Sequence, residues 1–277
     1  MTDMPVNHSA TEHVLVFGDC WPVVSAVKSV ITTVLPEYHC ETVSDLSSLI
    51  YRLTCTPEAS LILCLRPREH IFLFYALKEE LIYHPTLVIA DELFFNDKLI
   101  LSAWGNIPRM MHQELELMIT SQQLCERFPA GTRHCPEKST LTNFLMAPAF
   151  PAGLSEVPQI FHLEERLMDY MSLLIYREML NRGLTPFRMR LLEAIWTGYQ
   201  TRNELAVILD EPREKIWNEK HRLLSQLGIP ARLRDILYGT RFCLFLQKTP
   251  FMPLNKAENI REKARASVQD FPAGSAA

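Results

Sequence analysis

Asn218, His221 and Arg222 are the residues whose types and spacing best suit chemistry, and that chemistry is recognition. They fall on one side of a helix, with Ser225 one turn further on. An amide and an imidazole exchange hydrogen bonds with the edges of nucleic-acid bases, and a guanidinium pairs with phosphate. Arg213, Lys215 and Lys220 add cations, while Ile216, Leu223, Leu224 and Leu227 make the opposite side apolar. Lys220 sits at the edge of that apolar arc, where its stem can carry the ammonium outward. Trp217 stands on the border between the two faces, suited to pack against a neighbouring helix. Read alone, such a face is more commonly a solvated one; its claim to nucleic acid comes from the elements that position it.

Other chemistry finds little support. The seven cysteines (Cys20, Cys40, Cys55, Cys64, Cys125, Cys135 and Cys243) contain no C-x-x-C pair. Cys125, His134 and Cys135 lack a fourth ligand at metal spacing, so reduced thiols and no metal are expected. His39, His70, His84 and His162 have no serine or cysteine at a recognisable catalytic spacing, and Gly18 stands outside any G-x-G-x-x-G. Neither an enzyme nor a cofactor is expected.

The elements around the reading face are well punctuated. Leu184-Thr-Pro-Phe places a threonine cap and a first-turn proline ahead of a helix with Met189, Leu192 and Trp196 on one side, ending at Gly198. Thr201-Arg-Asn-Glu204 is a capping box that launches a short helix with Leu205, Ala206 and Leu209 inward. Asp210-Glu-Pro212 breaks that helix and starts the one carrying Asn218, which Gly228 ends.

Further upstream, short apolar runs at 13–18, 59–65 and 86–90 read as buried strands. They alternate with helical patterns at 23–35, at 44–54 with Ser44 as cap, at 71–83, and in a closing helix at 112–123. Such alternation implies an open parallel α/β sheet. The expected order is a flexible start at 1–12, an α/β domain at 13–123 and a linker rich in proline and glycine at 124–160. A connecting or dimerisation helix at 161–182, an all-α domain at 183–250 and a flexible tail at 251–277 follow. Leu163 to Leu180 is too apolar around its circumference for a simple surface helix, so it enters a core or meets a partner helix.

Leu184-Thr185-Pro186, Leu191-Leu192, Gly198, Glu204-Leu205-Ala206, Leu209, Ile216, Leu224-x-x-Leu227-Gly228-Ile229 and Arg232 together resemble the four-helix DNA-binding domain of the LuxR and FixJ family. One extra residue sits between Gly198 and Thr201. The resemblance implies a helix-turn-helix whose second helix enters the major groove of double-stranded DNA, with Trp217, Asn218 and His221 at base-reaching positions. The family usually has lysine where Trp217 stands.

The N-terminal half resembles a response-regulator receiver domain in degenerate form. Asp19 falls at the first acidic position and Cys20 at the second, and the strand that should end in the phosphoacceptor aspartate ends in Leu63-Cys64-Leu65-Arg66-Pro67. No phosphoacceptor is expected; Cys64 or Leu65 stands near its place. The combination, with a β-like tail at Arg241 to Leu246, is similar to the enterobacterial auxiliary regulators related to RcsA, which often pair with a complete response regulator.

The charge distribution agrees. Residues 184–250 carry a net charge of +4 and the remainder −8, which suits one segment facing phosphates. A composition 48% hydrophobic and 22% charged is that of an ordinary folded protein. Residues 1–11 lack the basic start and apolar run of a secretory leader, and no run approaches the roughly 18 apolar residues of a membrane span. The expectation is a cytoplasmic transcription regulator acting as a homodimer or as a heterodimer with a response regulator. The alternative is an interaction protein that captures a partner regulator with little DNA contact.

Overall fold

The computed structural model describes residues 12–127, 139–151, 156–157, 160–199 and 201–269. Most of the expected flexible start, the Phe128 to Pro136 stretch and the last eight residues of the tail lie outside the described residues, as do His134, Cys135 and the side chain of Cys125.

The first half runs β1 (His13–Gly18), α1 (Trp21–Val34), β2 (His39–Val43), α2 (Leu46–Cys55), β3 (Ser60–Cys64), α3 (Ile71–Ala76), α4 (Glu80–Tyr83), β4 (Thr86–Ala90), α5 (Phe95–Ala103), β5 (Arg109–Met111) and α6 (His112–Arg127). All five strands are parallel, in the order β2-β1-β3-β4-β5, which is a receiver-like α/β arrangement. Because successive side chains point to opposite faces, Val14, Val16, Ile62 and Ile89 pack toward α1 and α6. Leu15, Phe17, Leu61 and Leu63 pack toward α2, α3 and α5. The central strands are therefore apolar on both faces. Gly18 is required where β1 ends against β3: a Cβ there would lie 2.8 Å from the Cβ of Cys64 and closer still to its carbonyl.

Several elements depart from expectation. The cap of α2 is Asp45, not Ser44; its Oδ1 accepts the Ser48 N–H at 2.9 Å. The helix expected over 71–83 splits into α3 and α4, and at the break the Ala76 carbonyl accepts from Arg261 at 3.0 Å. Within the expected linker lies α7 (Thr140–Met146), whose Leu141, Phe144 and Leu145 join the core on the α1 side. The β-like tail is instead a short 3₁₀ turn, Leu244–Leu246, because its backbone groups close local bonds and no ladder.

The second half comprises α8 (Glu164–Asn181), α9 (Pro186–Trp196), α10 (Arg202–Leu209), α11 (Arg213–Leu227) and α12 (Leu233–Gly239). Its apolar core is continuous with that of the sheet through α8 and α5. The expected loose tail holds α13 (Leu254–Gln269), which returns to α2. Only Ala257, Arg261 and Ala264 are deeply buried on α13, too thin a stripe to announce itself. Arg261 forms a two-pronged pair with Glu80, at 2.6 and 2.9 Å, and both residues are buried. No helix among the described residues is long and apolar enough to cross a membrane.

Removing one partner of such a pair strands a buried charge. Arg261→Ala should lower the urea-unfolding free energy by about 3–5 kcal/mol, whereas Arg261→Met with Glu80→Leu should recover most of it. An unchanged midpoint in the single variant would show that α13 does not hold the sheet.

Candidate nucleic-acid interface

The local folding of α9 to α11 follows from its caps. The Thr185 hydroxyl accepts the Arg188 N–H at the start of α9. Thr201 and Glu204 satisfy each other's backbone N–H groups at 2.9 and 3.2 Å, starting α10. Asp210, with φ +52°, ends α10 in the left-handed region that a short polar side chain tolerates, and Gly228 does the same for α11 at φ +62°. Leu205, Ile216, Leu223, Leu224 and Leu227 are buried against α9, so the opposite side of α11 faces solvent.

On that outer side Asn218, His221, Arg222 and Ser225 are all exposed, as the periodicity requires. Trp217 is 48% exposed. It neither sinks into the core nor stands free: the His221 ring meets it edge-on at 4.1 Å, and the Arg202 guanidinium lies 4.6 Å from its centroid. The three side chains form a continuous cation–aromatic–imidazole unit across α10 and α11. Arg202 was missed by sequence reasoning; as the first residue of a capped helix it carried no sign that it would lie over Trp217.

The cations do not form one patch. Arg213 is exposed at the start of α11. Lys215 lies on the flank toward α9, 4.9 Å from the Phe187 centroid and 2.5 Å from the Glu211 carboxylate. Lys220 is half-buried, and that burial lowers its pKa. Glu219 links α11 to α9: its oxygens accept from Arg188 at 2.8 Å and from Arg222 at 2.9 Å. Burial opposes its ionisation, but the two guanidiniums prevail and hold its pKa below the ordinary range. Arg188, itself buried, also donates to Gln226 at 2.6 Å.

A second polar site lies at the carboxyl ends of β1, β3 and β4, where the strand order reverses. It is a crevice of about 310 Å³ bordered by Asp19, Cys20, Cys64, Leu65 and Asp91. Cys64 is the last residue of β3, and burial pushes its thiol up to about 12. Arg66, unforeseen from sequence, pairs with Asp91 and holds its pKa at about 2. Lys248 enters from beyond α12, with its Nζ 2.5 Å from Asp19 Oδ2 and 2.7 Å from Glu69 Oε2. Asp19 also takes His70 Nε2 at 3.3 Å; that hydrogen bond chiefly, with Lys248, holds its pKa well below the usual carboxylate range against the pull of burial.

No family model matches the chain, and no curated protein matches it. Its chain path is similar to a solved structure of the two-component response regulator RcsB in complex with DNA, at 16% identity over 82% of this chain and 97% of that one, with a TM-score of 0.48. It is also similar to a structure of two RcsB dimers bound to two parallel DNAs (14% identity, 82% and 96% covered, TM-score 0.47). A third is RcsB from Salmonella enterica serovar Typhimurium bound to promoter P1flhDC in the presence of phosphomimetic BeF3− (15% identity, 83% and 98% covered, TM-score 0.45). What those proteins bind is a property of those proteins.

A carboxylate whose pKa is lowered by folding contributes stability above its unfolded pKa, about 3.9, and loses it as pH falls through the folded value. The stability difference between the wild type and Asp19→Asn should therefore shrink as pH falls below about 4. Unfolding curves across that range test this, and a gap independent of pH would show that the Asp19 charge holds nothing.

Proposed function

We propose that this chain is a DNA-binding transcription regulator. It reads duplex DNA through the outer face of α11 and works without phosphoryl transfer, as a homodimer or beside a partner response regulator. The observation that carries the reading is the exposed column of Asn218, His221 and Arg222 on a helix whose other face is buried, which α10 buttresses through a left-handed turn at Asp210. α10 and α11 act as a helix-turn-helix. Asn218 and His221 read base edges, Arg222 and Arg213 engage phosphates, and Lys215 and Lys220 contribute as flanking cations. Trp217, steadied by Arg202, presents an apolar edge beside His221 that suits a thymine methyl group.

The crevice supports independence from phosphorylation. Cys64 and Leu65, either of which stands near the place expected for a phosphoacceptor, carry no carboxylate, and the ammonium of Lys248 already neutralises the neighbouring acids.

Occupancy across a genome supplies the operator, and fluorescence anisotropy with that duplex then tests the roles. Asn218→Ala and His221→Ala should each weaken operator binding by about 1–3 kcal/mol and leave binding to unrelated duplex unchanged. Arg222→Ala should weaken both and reduce the salt slope by about 0.9. Affinity that is insensitive to salt, or an operator bound equally well by the Asn218 and His221 variants, would overturn the reading and favour capture of a partner regulator.

A further inference from the structure

The helix α8 is apolar on two opposite sides, and the chain uses only one of them. Its inner side, including Leu167, Met171, Leu174 and Ile175, is buried in the shared core. On the far side Leu173, Tyr176 and Leu180 recur at helical spacing and remain 67%, 46% and 44% exposed. A row of three large apolar side chains on one face is the pattern of a helix–helix seam, and no contact among the described residues buries it.

The charges along this row select the occupant. Asp169 lies four residues before Leu173 and Arg177 four residues after it, on the same face. Asp169 has no ion-pair partner among the described residues, whereas Arg177 pairs with Glu156. If a second α8 lies antiparallel with the two Leu173 side chains in contact, each Asp169 meets the Arg177 of the other copy. In a parallel pairing aspartate would meet aspartate and arginine would meet arginine, which is unfavourable. A guanidinium has donors enough for both Glu156 and a second carboxylate. In the antiparallel register Leu180 also covers the aliphatic stem of Arg166 of the second copy.

We propose that the outer row of α8 is a two-fold, antiparallel docking surface for a second copy of this chain, centred on Leu173. Three large side chains per copy make a small contact, below the roughly 1,000 Å² of a durable interface, so the dimer is weak and concentration-dependent. Since α8 leads through Gly183 into α9, the same two-fold axis would relate two reading helices, which under the proposed function matches an operator with inverted repeats.

Sedimentation velocity of the full chain without DNA, over a concentration series, tests the pairing independently of DNA reading. The wild type should dimerise as concentration rises. Asp169→Arg alone and Arg177→Asp alone should each raise the dimer dissociation constant about tenfold or more, since each places like charges together twice. An equimolar mixture of the two variants should regain wild-type dimerisation, because every pair across the seam is again opposite in sign; this rescue also shows that both variants are folded. A wild type that stays monomeric throughout, single variants that dimerise normally, or a mixture without rescue would each overturn the proposal. Binding of either variant to a duplex with one half-site reports separately on the reading face.

Discussion

Asp97 is a carboxylate with no solvent around it, and the joint between the two halves of the molecule is assembled on it. Its oxygens accept the Phe94 N–H at 2.7 Å, which starts α5, and the Arg68 N–H at 2.7 Å and guanidinium at 2.6 Å. Arg68, fixed in this way, covers the Phe94 ring at 4.1 Å and reaches Glu92, which in turn receives Arg234 from α12. The backbone of Gly239 packs on the other part of Phe94, where a side chain would crowd it. Asn96, next in line and buried, donates to the Tyr238 and Arg241 carbonyls at 2.7 and 2.8 Å. A buried charge is costly unless it is paired and hydrogen-bonded, and here its bonds fix two segments, the start of α5 and the turn at Arg68.

The crevice belongs to the same construction. Just before Arg68 the chain leaves β3 at Arg66, and just after it stand Glu69 and His70, the neighbours of Lys248 and Asp19. Gln247 clasps this turn from the far end of the chain, accepting the Ile71 N–H at 2.9 Å and donating to the Arg68 carbonyl at 2.8 Å. Polar groups at the end of an open sheet ordinarily await a ligand. Here much of their hydrogen bonding is already taken up within the chain, which turns a place for exchange into a place for anchorage.

How much of this was legible depended on range. The caps at Thr185, Thr201 and Gly228 and the strands 13–18 and 86–90 are local patterns, and the structure follows them. The strand β2 alternates with polar residues at an edge and β5 is three residues long, so neither offers a run to recognise. The helix α5 hides because Asn96 and Asp97 are wholly buried, where a pattern of apolar spacing expects surface. The column of Asn218, His221 and Arg222 was visible in advance, but not that Arg202 would steady Trp217. Pairs such as Lys248 with Asp19, 229 residues apart, and Arg261 with Glu80, 181 apart, have no local signature; only the closed fold brings them together.

The return of the chain after α12 has a mechanical meaning. The helices α9 to α12 leave the sheet domain through α8, and the chain comes back to it through Gln247, Lys248 and α13. They form a closed loop on the first domain, not a pendant on one linker. A pendant module explores orientations for itself and loses that freedom on meeting DNA. A module moored at both ends has surrendered it at folding, so α11 turns only as the whole molecule turns.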